Sequence, residues 1–244
     1  MGRNLGEARR IVALCERRRL VAAVNLQLRY SPNMIALRAL IARGTLGMVR
    51  DVEVRVNTYT PWRLWRFLAG IPRLEILYHS IHYLDLIRTL FGEPDGVHCV
   101  ALGDPELPRY ADTRSSIVLR YPGTLRGALY TNHLHAHGGK HAMSQLKVEG
   151  TRGAAIARMG VNLDYPRGRP DRLEVARGHG PWRTIELCGS WFPHAFVGPM
   201  ASLQRYVTGE ERTLPTAVAD ALNTMALVEA CYRSAGTKGT RIRC

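Results

Sequence analysis

The sequence predicts an α+β fold: an open, predominantly antiparallel sheet covered by helices on one face, preceded by a short helix–strand unit. Three observations point there. The opening residues pair a helical period with a continuous apolar run, the middle of the chain is a series of short alternating segments, and two amphipathic helices close it. With 244 residues, 46% hydrophobic and 22% charged, the chain can bury a sizeable core. That balance excludes a disordered, collagen-like or disulfide-framework polypeptide. No run approaches the ~20 apolar residues of a membrane-spanning helix.

Residues 5–19 place Leu5, Ala8, Ile11, Val12 and Cys15 at helical spacing. The segment LVAAVNLQLRY, residues 20–30, then reads as a buried strand, so helix and strand together resemble the last half-unit of a βαβ array. Ser31-Pro32-Asn33 interrupts and can cap a helix with the stripe Met34, Leu37, Leu40 and Ile41, ended by Gly44 and Gly47. Val49–Tyr59 alternates as a strand. A loop rich in Trp62, Trp65, Phe67, Gly70 and Pro72 leads into a helix over 75–91 that Gly92 and Pro94 stop. Strands are expected at 97–102, 115–121, 125–134, 143–149, 154–159, 172–176 and 183–188, separated by turn chemistry, and helices at about 195–208 and 216–235.

Lys+Arg 34 against Asp+Glu 20 makes a net charge of +14, which ordinarily suggests an anionic partner. The lysines are only Lys140, Lys147 and Lys238, however, and the arginines are dispersed, with one dense run at Arg17–Arg19. With aromatics at 7%, stacking platforms are not evident, so nucleic acid is not the expected partner. Five cysteines (Cys15, Cys99, Cys188, Cys231 and Cys244) are odd in number and show no zinc-type spacing, which suits reduced thiols in a cytoplasmic chain. The first residues make a poor signal peptide, and neither a membrane nor a transit segment is expected.

The 75–91 helix carries the densest polar cluster. Glu75, His79 and His82 fall at i, i+4 and i+7 and should share one side, with Asp85 three residues on. Imidazoles beside carboxylates suit acid–base work, although satisfied core histidines would show the same spacing. A metal site is the thinner reading, since His-x-x-His on one helix supplies at most two or three ligands, and no metal is expected. Asn25, Gln27, Arg29 and Tyr30 would line the carboxyl end of the opening strand, where α/β sheets bind ligands. Asn132, His133, His135 and His137 alternate on a strand end; His133, His135 and His137 on one face would be metal-like, but a solvated sheet face running into the HGGKH turn is the favoured reading. His194 precedes a helix, either as a polar cap or facing a cleft. No GxGxxG, Walker loop or GxSxG elbow occurs.

Several stretches in a fixed order resemble the Gfo/Idh/MocA oxidoreductases, a family that includes inositol dehydrogenases and glucose–fructose oxidoreductase. They are EARRIVALCERRRLVAAVNLQLRYSP, LRALIARGTLGMVRDVEV, SIHYLDLIRTLFGEP, LKVEGTRGA, AFVGPMASLQRYVTGE and EACYRSAGTKGTRI. The resemblance implies that residues 1–33 are the last helix and strand of a Rossmann dinucleotide-binding domain. Residues 34–244 would then be a substrate-binding and oligomerisation domain whose open sheet pairs across a subunit interface. It implies NAD or NADP as cofactor and a sugar or cyclitol alcohol as substrate. His82 takes the place of the family's catalytic histidine, while Tyr78 and Ser80 stand where its carboxylate and glycine would be. Glu75 or His79 could substitute for that carboxylate, and Arg29, Tyr78, Asn25 and His194 are the expected substrate contacts. The family's Glu-Lys-Pro lysine and glycine-rich turn have no counterpart, so this chain alone is expected to hold NAD(P) weakly or not at all. A non-catalytic carbohydrate-binding or dimerisation module is the alternative.

Overall fold

Alternating valines build the centre of the sheet. In β1 (Val49–Asn57), Val52, Val54 and Val56 are fully buried while the residues between them face outward. The computed structural model describes residues 1–160, 169–237 and 239–240; Lys238, Cys244 and part of the EACYRSAGTKGTRI stretch lie outside them. Seven further strands follow: β2 (Gly96–Leu102), β3 (Arg114–Arg120), β4 (Arg126–Asn132), β5 (Met143–Gly150), β6 (Gly153–Arg158), β7 (Arg172–Arg177) and β8 (Arg183–Ile185). They form one sheet in the order β2-β3-β4-β1-β5-β6-β7-β8. β1 and β4 run parallel, and every other neighbouring pair is antiparallel. The result is α+β, as expected, but mixed at its centre.

The helices are α1 (Leu5–Arg18), α2 (Pro32–Ala42), α3 (Ile81–Phe91), α4 (Val197–Thr208) and α5 (Val218–Ala235). α2 packs on β6 and β7, α5 packs on β2, and α3 and α1 pack on α5. Leu84, Ile87, Ile117, Leu119, Leu129, Leu146, Val148 and Leu173 meet in the core between sheet and helices. Ala8 of α1 and Leu28 belong to the same core as the sheet residues. On the opposite face Val100, Leu102, Val118 and Tyr130 are exposed. No helix among the described residues is long and apolar enough to cross a membrane.

Three expectations need correction. Residues 20–30 form no ladder strand: Ala23 makes a single bridge to Ala217, Val24 bonds to Thr216, and Gln27–Tyr30 tightens into a 3₁₀ turn. β-prone residues need a neighbouring strand to become one, and among the described residues the partner here is a short piece of loop before α5. The strand expected at 125–134 ends at Asn132, so His133 leaves the ladder and is buried rather than solvated. The helix expected over 75–91 is not uniform. Ile76–Ser80 forms a π-type turn before α3 begins at Ile81.

Candidate functional site

The π turn decides where the polar residues of this helix go. Asp112 anchors its start, its carboxylate accepting from Leu74 N–H at 2.7 Å, Ile76 N–H at 3.2 Å and the Tyr232 hydroxyl at 3.0 Å. A widened turn changes the angular offset between residues before and after it, so the i, i+4, i+7 face is split. Glu75 and His79 turn toward His133, whereas no hydrogen bond or ion pair joins either of them to His82 among the described contacts.

Glu75, His79 and His133 converge on one point. Glu75 Oε1 lies 3.4 Å from His79 Nδ1 and 3.4 Å from His133 Nε2, and the two ring nitrogens are 3.1 Å apart. Glu75 is fully buried, its Oε1 accepting from Ser80 Oγ at 2.6 Å while Oε2 has no hydrogen-bond partner among the described residues. Burial alone would push this carboxyl upward, but the His133 and His79 nitrogens outweigh it and hold the group well below the ordinary carboxylate range. Burial, reinforced by His133, pushes His79 down to about 4. His133 reaches the cluster because β1 and β4 are parallel neighbours whose carboxyl ends coincide. Just beyond them Thr60 N–H donates to the His133 carbonyl at 3.0 Å, and Thr60 Oγ1 meets His133 Nδ1 at 2.7 Å. Trp62 and Tyr83 close the sides, with ring centroids 5.1 Å from His133 and 5.4 Å from His79 respectively.

A second polar cluster sits further along α3. Asp85 receives Arg29 Nε at 2.6 Å, Arg29 Nη2 at 2.5 Å and Thr224 Oγ1 at 2.7 Å. Arg29 also donates to Asp220 at 2.5 Å and to the Pro215 carbonyl at 2.7 Å, and Arg88 joins Asp220 to Glu93. Arg29 thus commits four of its five N–H groups to protein acceptors. It borders a cavity of about 240 Å³ with Tyr30, Arg38, Ser202 and Arg205.

His82 lies elsewhere. With Tyr78, Leu77, Val24, Leu26 and Met225 it lines a cavity of about 340 Å³. Its Nδ1 is buried without a hydrogen-bond partner among the described residues, and burial pushes the ring down to about 4, so it is neutral near pH 7. Tyr78 is exposed. Asn25 is also exposed, in the segment whose Val24 and Leu26 line this cavity. His194 is exposed too, and its Nδ1 accepts from Ser190 N–H at 3.1 Å. The structure therefore gathers Tyr78, His82 and the flanks of Asn25 around one cavity, and puts Glu75, His79, Arg29 and His194 in other surroundings. Sequence reasoning missed Thr60, Asp112, Asp220 and the inward turn of His133. Only His133 left a signal, its position just past a strand of alternating buried residues.

Residues 34–156 match the family described as the GFO/IDH/MocA C-terminal domain. Among curated proteins, trans-1,2-dihydrobenzene-1,2-diol dehydrogenase of Bos taurus is 30% identical over 162 residues, covering 64% of this chain and 44% of that protein. The Sus scrofa enzyme of the same name is 28% identical over 139 residues, covering 52% and 38%. The match thus spans less than half the length of these relatives. An Agrobacterium radiobacter oxidoreductase solved with NAD+, L-tartaric acid and magnesium superposes with a TM-score of 0.77 at 20% identity, covering 96% of this chain and 68% of that one. An aldose–aldose oxidoreductase from Caulobacter crescentus, complexed with glycerol, gives 0.76 at 20% identity over 95% and 67%. An inositol dehydrogenase homologue from Azotobacter vinelandii, complexed with NADH and myo-inositol, gives 0.76 at 17% identity over 95% and 66%. At these identities the likeness is one of fold.

Proposed function

The chain belongs to the GFO/IDH/MocA family through its C-terminal domain, and from that premise we propose that it is the alcohol-holding part of an NAD(P)-dependent oxidoreductase acting on a sugar or cyclitol. The observation that carries this reading is His82: a neutral imidazole with a buried, unpartnered Nδ1 beside a cavity large enough for a small polyol. The ring would take the proton of the substrate hydroxyl, and Tyr78 and Asn25 would orient the alcohol at the cavity mouth. Arg29 acts through Asp85 as a positioning residue that ties α3 to the start of α5.

The residues present do not fit a dinucleotide. The sequence contains no glycine-rich strand–turn–helix. The amino end of α1 is closed by Asn4, whose Oδ1 accepts from Glu7 N–H at 2.9 Å, and by the Glu7 carboxylate itself, which would repel a pyrophosphate. The exposed apolar strip of Val100, Leu102, Val118 and Tyr130 supports a homo-oligomer formed through the open sheet. The same strip favours the second reading, a non-catalytic carbohydrate-binding or dimerisation module.

Ligand-observed NMR of the purified chain with glycerol, myo-inositol and simple aldoses tests the proposal. Binding that His82→Leu abolishes is expected, together with no saturation of NADH fluorescence at micromolar chain. If no polyol binds, the alcohol-holding role fails. Micromolar saturable NADH binding would overturn the statement that these residues do not hold the dinucleotide. Polyol binding that survives His82→Leu, with no absorbance change at 340 nm when NAD(P)+ is added, would favour the second reading.

A further inference from the structure

We propose that Glu75, His79 and His133 form a binding site for a zinc ion, with a fourth position left to water. None of the three lines the cavity around His82, so this site stands or falls separately from the proposed alcohol pocket.

The distances among the three atoms carry the argument. A tetrahedral zinc bound at about 2.05 Å holds its ligand atoms about 3.35 Å apart. Six-coordinate ions with bonds of about 2.1 Å hold adjacent ligands about 3.0 Å apart. The triangle here has sides of 3.1, 3.4 and 3.4 Å. An ion about 2.05 Å from all three corners would stand about 0.7 Å out of their plane, where a regular tetrahedron puts it. Two imidazoles and one carboxylate form a ligand set found in zinc enzymes that keep one position open, whereas magnesium and calcium prefer all-oxygen surroundings.

A metal-free hydrogen-bond network accounts for the cluster less well. The Glu75 oxygen stands 3.4 Å from each ring nitrogen, long for a hydrogen bond and right for two ligands of one ion. Glu75 is a fully buried carboxylate with no Lys or Arg in ion-pair reach among the described residues, and one of its oxygens is unpartnered. A buried charge in that condition is costly unless a cation joins it. The outer contacts are those a bound ion needs. Thr60 Oγ1 can accept from His133 Nδ1–H, which leaves Nε2 free to ligate, and Ser80 Oγ fixes the carboxylate. The His79 side chain is 26% exposed, which provides a way in from solvent. The π turn over Ile76–Ser80, between Glu75 and α3, is a distortion that tends to persist at functional sites.

Equilibrium dialysis of the purified, chelator-stripped chain against micromolar zinc, with metal content read by mass spectrometry, tests the site. One zinc per chain is expected, with a thermal midpoint that rises with zinc concentration. Cobalt(II) should give the intense visible bands of a tetrahedral complex. Glu75→Gln, nearly the same shape, should lose stoichiometric zinc and the zinc-dependent shift, as should His133→Gln, while His137→Ala keeps both. If His133→Gln fails to fold, circular dichroism and the Glu75→Gln result still decide. Absence of stoichiometric zinc, a weak octahedral cobalt spectrum, or full zinc binding by folded Glu75→Gln would each overturn the proposal.

Discussion

Two polar clusters lie along one helical stretch, one at the π turn before α3 and one within α3, and differ in how their charges are met. Around Asp85 every charge has an opposite: Arg29, Arg88 and Thr224 surround Asp85 and Asp220 at hydrogen-bond distance. Around Glu75 a carboxylate equally removed from water faces two imidazoles and a single serine. A completed network fixes the geometry of helices and needs nothing more. An incomplete one marks where a ligand would complete it. Charge satisfaction, rather than burial or residue type, separates the two.

The sharpest way to break this comparison is to remove one member of the completed network. Asp85→Ala leaves the Arg29 guanidinium buried without its bidentate partner, and a loss of about 3–5 kcal/mol is expected in urea unfolding. A loss below about 1 kcal/mol would show that the network is not what holds α3 to Arg29. In the incomplete cluster, Ser80→Ala removes the serine donor to Glu75 and should cost about 1.5–3 kcal/mol in metal-free protein.

Acidity tests His82. Its folded value is pushed down to about 4, below the ~6.5 of an unfolded histidine. Between those values the unfolded chain binds the extra proton, so this contribution to stability is complete above about pH 6.5 and drains away as pH falls toward 4. His82→Asn should therefore make the decline of the thermal midpoint over that window shallower, and an unchanged slope would mean that the ring is not desolvated. The smallest effect belongs to the surface: Arg120 pairs with Asp95 at 2.9 Å where both side chains are largely exposed, and Arg120→Ala should cost no more than about 0.5 kcal/mol.

Much of the fold was legible. Alternation in residues 49–57 and 143–149, turn dipeptides and helix stops such as Gly92, which has φ of 85°, determine element type locally and so can be read locally. Residues 20–30 misled because a β-rich run becomes a strand only if another strand lies alongside. The site was legible only in part. Glu75, His79 and His82 stand out by spacing, yet the spacing rule assumes an unbroken helix, and the π turn at Ile76–Ser80 divides them between two surroundings. His133 looked like a solvated strand end because nothing in its neighbours reveals that β4 lies beside β1.

By itself the sequence determined the α+β class, the helix that bears the histidines, and the absence of a glycine-rich phosphate turn among its residues. Tertiary structure alone decided that Glu75 and His79 meet His133 across 54 or more residues of chain, and that Arg29 is already taken by Asp85 and Asp220. The reason is physical. Periodicity reports which side of its own element a residue occupies, whereas a site is made where the sides of different elements meet, and that meeting is set by strand order and helix packing.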